Sequence, residues 1–191
     1  MGNFTTLATT PDQYNDIIKT IENGFISDDG VKHRPNERVA FALRLEKATG
    51  CRISDIVKLT PNSFVKDGMN YRINITEQKT GKKRRFTVSQ PLYDAIQDYC
   101  TKHSIQPDQR IIGTTTRQIQ KHLAFTVKHL NLDNIGTHSM RKMAGQQIME
   151  ITGNDIRAVQ EFYQHSSPTT TARYLTQASA TLQKALNQLS F

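Results

Sequence analysis

The residues of this sequence that could carry chemistry fall in five short motifs. They supply two arginines, a lysine, two histidines and a tyrosine. This set suits one task, which is to hold a phosphodiester and stabilise its pentavalent transition state while the tyrosine attacks. In chain order the motifs are Arg52-Ile53-Ser54-Asp55, Lys79-Thr80-Gly81-Lys82, His138-Ser139-Met140-Arg141, His165-Ser166-Ser167 and Tyr174. Each motif alone is common, so the argument depends on their order and spacing.

Two of the motifs have a spacing that suits phosphate. Arg52 follows a turn at Gly50 and begins a short helix, where the free N–H groups already favour an anion. Its planar guanidinium can grip two phosphate oxygens, which a lysine cannot do. His138 and Arg141 are three residues apart, so a helix places both on one face and lets them meet the same phosphate.

Each motif also has a purely structural interpretation. Arg52 and Asp55 could form an ordinary surface pair one helical turn apart. The basic run could be the solvated tip of a hairpin, and a single tyrosine is usually a core residue. Tyr163 is the competing tyrosine, but it precedes His165 and so breaks the order of the motifs.

Taken together, the motifs resemble the catalytic domain of the tyrosine recombinases, the phage-integrase family, over roughly residues 11–189. The resemblance implies that Arg52 and Arg141 clamp the scissile phosphate. It also implies that Asp55 supports the active-site arginine and lysine. Lys79 would protonate the departing 5′ oxygen, with Lys82 as the second candidate for that acid.

The same resemblance assigns the remaining catalytic roles. His138 would assist proton transfer, because its unperturbed pKa lies near neutrality. His165 would hydrogen-bond the phosphate, and Tyr174, nine residues later, would be the nucleophile. The product would be a 3′-phosphotyrosine and a free 5′ hydroxyl. Religation would then need no ATP, and we expect no metal and no cofactor.

The charge of the chain favours a polyanionic partner. Lysine and arginine number 25 against 17 aspartate and glutamate, which gives a net charge of +8. Five of the seven residues from Lys79 to Arg85 are basic. We expect the following basic residues to hold DNA phosphates without reading sequence: Lys82, Lys83, Arg84, Arg85, Lys142 and Arg173.

Hydrophobic periodicity predicts the helices that position these motifs. A first helix begins at Pro11 with Ile17, Ile18 and Ile21 on one face, and residues 23–34 read as a loop. A second helix runs from Pro35 to Gly50, with core positions at Val39, Ala40, Leu43 and Ala48. Further helices are predicted over residues 54–59, 91–103, 116–130, 138–164 with a break at Gly153, and 178–189.

Alternating patterns predict a small antiparallel sheet. Residues 69–75 and 84–88 alternate as strands, residues 79–83 turn between them, and a short third strand lies near Phe64 and Val65. The predicted fold class is therefore mainly α (α+β), a helical domain with one small antiparallel β-sheet or hairpin.

The sequence predicts one catalytic domain over residues 11–191, preceded by a flexible segment over residues 1–10. The helical core-binding domain that precedes it in the family is expected to be absent, so the chain is either a fragment or a small stand-alone recombinase. Cys51 and Cys100 lack metal-binding spacing and are expected to be free thiols in a reducing cytosol. We expect a cytoplasmic, nucleoid-associated protein encoded by a bacterium or phage, without a membrane span.

The resemblance implies a site-specific recombinase that integrates, excises or inverts mobile DNA. Its partner would be double-stranded DNA, bound as a homotetramer in which the helix over residues 178–189 is exchanged between subunits, with DNA-bending accessory proteins. That helix could instead cover its own core. Two other functions stay open at this point: a relaxase of the type IB topoisomerase kind, and a DNA-binding regulator without catalytic activity.

Overall fold

The computed structural model describes residues 6–163. In this part of the chain, seven α-helices and one short 3-10 helix, Pro61–Ser63, pack with a three-stranded antiparallel sheet and a separate two-stranded hairpin. The helices are α1 Pro11–Asn23, α2 Glu37–Thr49, α3 Ile53–Ile56, α4 Gln90–Lys102, α5 Thr116–His129, α6 Thr137–Ile151 and α7 Ile156–Tyr163. The strands are β1 Phe25–Ile26, β2 Lys32–His33, β3 Phe64–Asp67, β4 Asn70–Thr76 and β5 Lys83–Val88. The predicted fold class, mainly α with a small antiparallel sheet, is confirmed.

Local capping explains where the first two helices begin and end. Thr10 and Gln13 form a reciprocal capping box at the start of α1. Asn36, rather than Pro35, caps α2 by accepting from the Val39 N–H at 3.1 Å. Gly50 ends α2 with a positive φ of 57°, a left-handed backbone that glycine adopts readily. This turn delivers Arg52 to the start of α3.

The larger sheet has the strand order β3-β4-β5. Ile75 pairs with Arg84 and Thr76 pairs with Lys83, so residues 77–82 form the turn that carries Lys79. The predicted hairpin and the predicted third strand are therefore both confirmed. The sheet rests on one side of the helices, and Ile73 and Val88 are buried on its inner face.

The core lies among α1, α2, α5 and α6, with the inner face of the sheet along one edge. Its centre is aliphatic, and Ile17, Ile21, Leu43 and Ile56 have no exposed surface. Ala48 was predicted to face this core, and that prediction is wrong. The side chains of α2 that turn inward lie on the opposite face, so Ala48 is exposed.

Residues 23–34, predicted to be a loop, contain the short hairpin β1–β2. The strands have two residues each, too few to show an alternating pattern in the sequence. The Phe25 ring stacks on His33 at 4.4 Å and on His129 of α5 at 4.5 Å. Aromatic stacking on α5 therefore holds this hairpin in place.

The first ten residues were predicted to be flexible, yet residues 6–10 are packed against the domain. The Leu7 N–H donates to the Asn134 carbonyl at 2.8 Å. Thr9 is buried, and its hydroxyl contacts the Met143 sulfur at 3.3 Å. The polar composition of this segment concealed its burial.

Two other predictions concern thiols and membranes. Cys51 and Cys100 are both free thiols, as expected, and the structure shows that both are buried. No helix within residues 6–163 is long and apolar enough to cross a membrane. The helix predicted over residues 178–189 lies outside the described residues.

Candidate active site

Arg52 stands at the start of α3, with its side chain directed at the turn between β4 and β5. Its Nη1 forms an ion pair with the Glu77 carboxylate at 2.6 Å, and the Thr80 hydroxyl donates to the same oxygen at 2.8 Å. Burial alone would raise the pKa of Glu77. The hydrogen bonds from Arg52 and Thr80 outweigh this effect and lower the pKa below its ordinary value. Glu77 therefore stays ionised and holds Arg52 in place.

Asp55 connects the same helix to the turn that carries Lys79. Its carboxylate is buried and accepts from the Gln78 N–H at 2.9 Å. Gln78 directly precedes Lys79, so this bond fixes the main chain from which the lysine side chain extends. The position suits the supporting role that the sequence predicted for Asp55, and the role itself stays a prediction.

Arg141 lies in the first half of α6 and is completely buried. Its Nη1 donates to the Gly50 carbonyl, and its guanidinium lies 4.4 Å from the centre of the Tyr163 ring. The Tyr163 hydroxyl in turn donates to the Arg141 carbonyl. Tyr163 is thus a buried structural tyrosine that holds α7 against α6.

His138 marks the point where the predicted site residues converge. Partial burial lowers its pKa, and so do the positive charges of Arg141, Arg52, Lys79 and Lys142, in that order. The charges of four cations from three separate motifs therefore act on one imidazole. At neutral pH this environment keeps the imidazole uncharged and able to accept a proton.

Three of the six basic residues predicted to hold DNA, Lys82, Lys83 and Arg85, are exposed. Lys79, Lys82, Lys83 and Arg85 all project from the β4–β5 hairpin, and we call these four residues the basic arm. Lys142 is half-buried, and its ammonium donates to the Thr6 carbonyl.

Arg84 differs from its neighbours in the basic arm, because its side chain is only 1% exposed. Its guanidinium donates to the carbonyls of Thr49, Gly50 and Phe162. The prediction that Arg84 holds a flanking phosphate does not fit this position, since main-chain carbonyls occupy the donors that a phosphate would need.

Three predicted site residues cannot be placed. His165, Arg173 and Tyr174 lie outside the described residues, so their roles rest on the sequence. Within residues 6–163, no group of three histidine, cysteine or acidic side chains is arranged to hold a metal ion.

Sequence reasoning missed two acidic residues at this site. Glu77 is the one acidic residue of the otherwise basic segment 77–85, and that contrast was a usable signal. Glu46 has no exposed surface and lies on α2 near Arg141. Burial raises the pKa of Glu46 well above its ordinary value, while the Arg141 charge partly offsets the rise. Nothing in the helical pattern distinguished Glu46 from an exposed glutamate.

Comparison with known proteins agrees with this architecture. The chain is similar to the probable integrase/recombinase YoeC of Bacillus subtilis (strain 168), with 33% identity over 147 residues, 73% of this chain and 78% of YoeC. Its fold is similar to that of the XerH site-specific recombinase bound to difH substrate in a pre-cleavage complex. That match has a TM-score of 0.66 and 16% identity, and it covers 92% of this chain and 53% of XerH.

The fold is also similar to that of a lambda integrase tetramer bound to a Holliday junction, with a TM-score of 0.65 and 15% identity over 91% of this chain and 49% of that one. At such identity, these two matches establish the fold alone, and this chain spans about half the length of either structure. A model of the phage integrase family matches residues 8–181. Since that match covers most of the sequence, the chain belongs to the phage integrase family, the tyrosine recombinases.

Proposed function

We propose that this protein is a site-specific DNA recombinase that cleaves and rejoins DNA through a 3′-phosphotyrosine. One observation carries the proposal. The charges of Arg52, Lys79 and Arg141, which come from three distant motifs, all lower the pKa of His138, and Arg52 is held by Glu77 in the turn that carries Lys79, within the fold of a family of recombinases. Cations brought together from distant parts of the sequence repel one another, and an anionic substrate such as a phosphodiester relieves that repulsion.

The proposed cleavage step uses each group once. The Tyr174 phenolate oxygen attacks phosphorus, and the bond from phosphorus to the 5′ oxygen breaks. His138, uncharged at neutral pH, accepts the phenol proton, and Lys79 donates a proton to the departing 5′ oxygen. Religation reverses these transfers, so the energy of the phosphodiester is retained in the tyrosine link.

Charge on the phosphoryl oxygens grows in the transition state, and the arginines supply the opposing charge. Arg141 would act from a buried position fixed by its hydrogen bond to the Gly50 carbonyl, and Arg52 is held by Glu77. Fixed donors stabilise a developing charge without reorganising at the moment of reaction. His165 would add a further hydrogen bond to the same oxygens.

The partners are part of the proposal. Double-stranded DNA would lie across the basic arm, and two recombining sites would be held by a tetramer with exchange of the helix over residues 178–189. The lambda integrase tetramer on a Holliday junction supports such an assembly by analogy of fold. DNA-bending accessory proteins would bend the DNA where the two recombining sites need it to come together.

Covalent capture tests this function directly. The full chain is incubated with a library of nicked duplexes of random sequence, and denaturant-resistant protein–DNA links are isolated and sequenced. Capture by the parent protein that is lost in Tyr174→Phe would establish the nucleophile. Tyr163→Phe is the matched control and should retain capture, because its ring stays in place against Arg141.

The sequences of the trapped ends separate the candidate functions. A shared motif next to the cleaved bond supports a site-specific recombinase. Capture without any shared motif indicates a relaxase that works at many sites. Equal binding and no capture by both the parent and Tyr174→Phe would indicate a DNA-binding protein without cleavage activity.

A further inference from the structure

Arg84 is a buried charged residue that the proposed reaction does not use. Its Nη1 donates to the Gly50 carbonyl at 3.0 Å, and its Nη2 donates to Thr49 at 3.0 Å and to Phe162 at 2.6 Å. One guanidinium in β5 thus joins the end of α2 to the end of α7.

The burial of this arginine is energetically costly. Taking a guanidinium out of water costs several kcal/mol even after hydrogen bonds form, and an apolar side chain of similar size is often the more stable choice. Arg84 shares its face of β5 with Phe86 and Val88, so the position itself favours an apolar residue. A second buried cation, Arg141, donates to the same Gly50 carbonyl. Stability alone therefore gives a poor account of Arg84.

The groups that Arg84 contacts are the supports of the proposed site. The Thr49–Gly50 turn leads directly to Arg52. Glu77, which holds Arg52 at 2.6 Å, lies 3.8 Å from the Arg84 guanidinium. Phe162 lies three residues before His165 in the sequence, at the start of the segment that leads to Tyr174.

We propose that Arg84 is a positioning residue for strand cleavage, which fixes the Arg52 turn, the Lys79 hairpin and the end of α7 relative to one another. The catalytic part of this inference rests on the proposed function. The planar fork of arginine is essential to it, because its donors lie on two separate terminal nitrogens and reach carbonyls of two segments at once. A lysine at the same position would keep the charge and lose the connection.

The test compares Arg84→Met and Arg84→Lys with the control Arg72→Met. Arg72 lies on the neighbouring strand and pairs with Asp67 at the surface, so the control removes the same charge from the same sheet. Arg84→Lys is the more conservative change and serves if Arg84→Met does not fold. Thermal unfolding confirms that each variant is folded at the temperature of the assay.

The first readout is hydrogen exchange of the full chain without DNA. Both Arg84 variants should exchange faster in two separate segments, residues 49–52 and 156–163, while Arg72→Met should not. Unchanged exchange in either segment, or a uniform rise over the whole domain, would overturn the proposed link. This readout does not depend on whether the protein cleaves DNA.

The second readout is the rate of covalent link formation at saturating nicked duplex. Displacing reacting groups by about 1 Å can cost a hundredfold in rate, so we expect a loss of about that size in both Arg84 variants. The salt dependence of DNA binding should not change, because the Arg84 side chain is only 1% exposed and faces the interior rather than the DNA. Parental rates in a folded Arg84→Lys protein would overturn the positioning role. A parent protein that forms no link would instead contradict the proposed function.

Discussion

Two regions of this protein carry positive charge in opposite settings. The buried arginine centre, which we define as Arg84 and Arg141, directs two guanidinium groups at the Gly50 carbonyl. The basic arm carries four cations that are all exposed. Lys83 and Arg84 are adjacent in the sequence and belong to different regions, because successive residues of a strand face opposite sides.

This difference shows that a cation can contribute in two ways to an enzyme that acts on a phosphodiester. A buried cation acts through fixed geometry in surroundings that water and salt hardly screen. An exposed cation acts through a field that falls away within a Debye length, about 8 Å at physiological salt. Changes in the arginine centre should therefore alter rate and stability, and changes in the basic arm should alter affinity and its salt dependence.

The largest effect is expected for Arg141→Ala. In the proposed mechanism this change removes a charge contact made in the transition state, and we expect the cleavage rate at saturating DNA to fall about 10²–10³-fold. Single-turnover formation of the covalent link is the measurement. Cleavage by Arg141→Ala at a rate near that of the parent would remove Arg141 from the proposed site.

Lys79→Ala tests whether one member of the basic arm also takes part in the chemistry. Loss of a general acid should slow cleavage by about 10²-fold or more. A substrate with a bridging 5′ sulfur should restore the rate, because its leaving group needs no proton. Lys82→Ala is the matched control, and rescue of that variant instead would assign the acid to Lys82.

Glu46→Gln tests the electrostatics around the buried centre. Burial raises the pKa of Glu46 above 4.5, so the folded state holds a proton that the unfolded state has released at intermediate pH. The contribution of Glu46 to stability is thus complete below about pH 4.5 and is lost as pH rises through the folded pKa. Glutamine does not ionise, so Glu46→Gln removes this loss of stability at higher pH.

Denaturant unfolding at pH 4 and pH 8 provides the measurement. We expect Glu46→Gln to gain stability relative to the parent at the higher pH, on the order of 1–3 kcal/mol, and to gain little at the lower pH. An equal change in the free energy of unfolding at pH 4 and at pH 8 would show that Glu46 is ionised at both pH values and that the charge of Arg141 compensates it.

A smaller effect is expected for Lys83→Gln in the basic arm. Loss of one phosphate contact should weaken DNA binding severalfold and reduce the salt slope by about one, without changing the cleavage rate of bound DNA. Lys66→Gln, an exposed lysine of β3 outside the arm, is the matched control. An unchanged slope in Lys83→Gln would place the DNA elsewhere.

The smallest predicted effect concerns the His138 imidazole. Without DNA its pKa should lie below 6.5, because partial burial and four nearby cations disfavour the charged ring. Lys142→Gln should raise this pKa slightly, since it removes one of those cations. Titration of the imidazole by NMR measures both values, and a pKa at or above 6.5 in the parent would contradict the convergence of the motifs.

Much of this architecture could be predicted because it depends on local patterns. The capping of α1, the turn at Gly50 and the alternation of β4 and β5 are encoded by residues next to one another. The hairpin β1–β2 could not be predicted, since its two-residue strands depend on stacking between Phe25 and His129, which are far apart in the sequence.

The site divides in the same way. The spacing of the motifs was enough to identify Arg52, His138 and Arg141 from the sequence. Tertiary packing alone brings Glu77 and Glu46 to these arginines, so the sequence did not identify them. Arg84 is the instructive case. Because it stands among basic residues, Arg84 was grouped with them as a DNA contact. Arg84, Phe86 and Val88 are two residues apart along β5, however, and this alternation already indicated that Arg84 faces inward.

The contact between Gly50 and Phe162 limits how this protein can diverge. A Cβ at position 50 would collide with the Phe162 ring, and the backbone there is left-handed as well. A Cβ at position 145 would collide with the Tyr163 side chain in the same way. The two aromatic residues at the end of α7 therefore pack against two positions that have no room for a side chain. A lineage that replaces either glycine must also change the aromatic residue above it. In an alignment of descendants, position 50 should therefore change only where position 162 has changed as well.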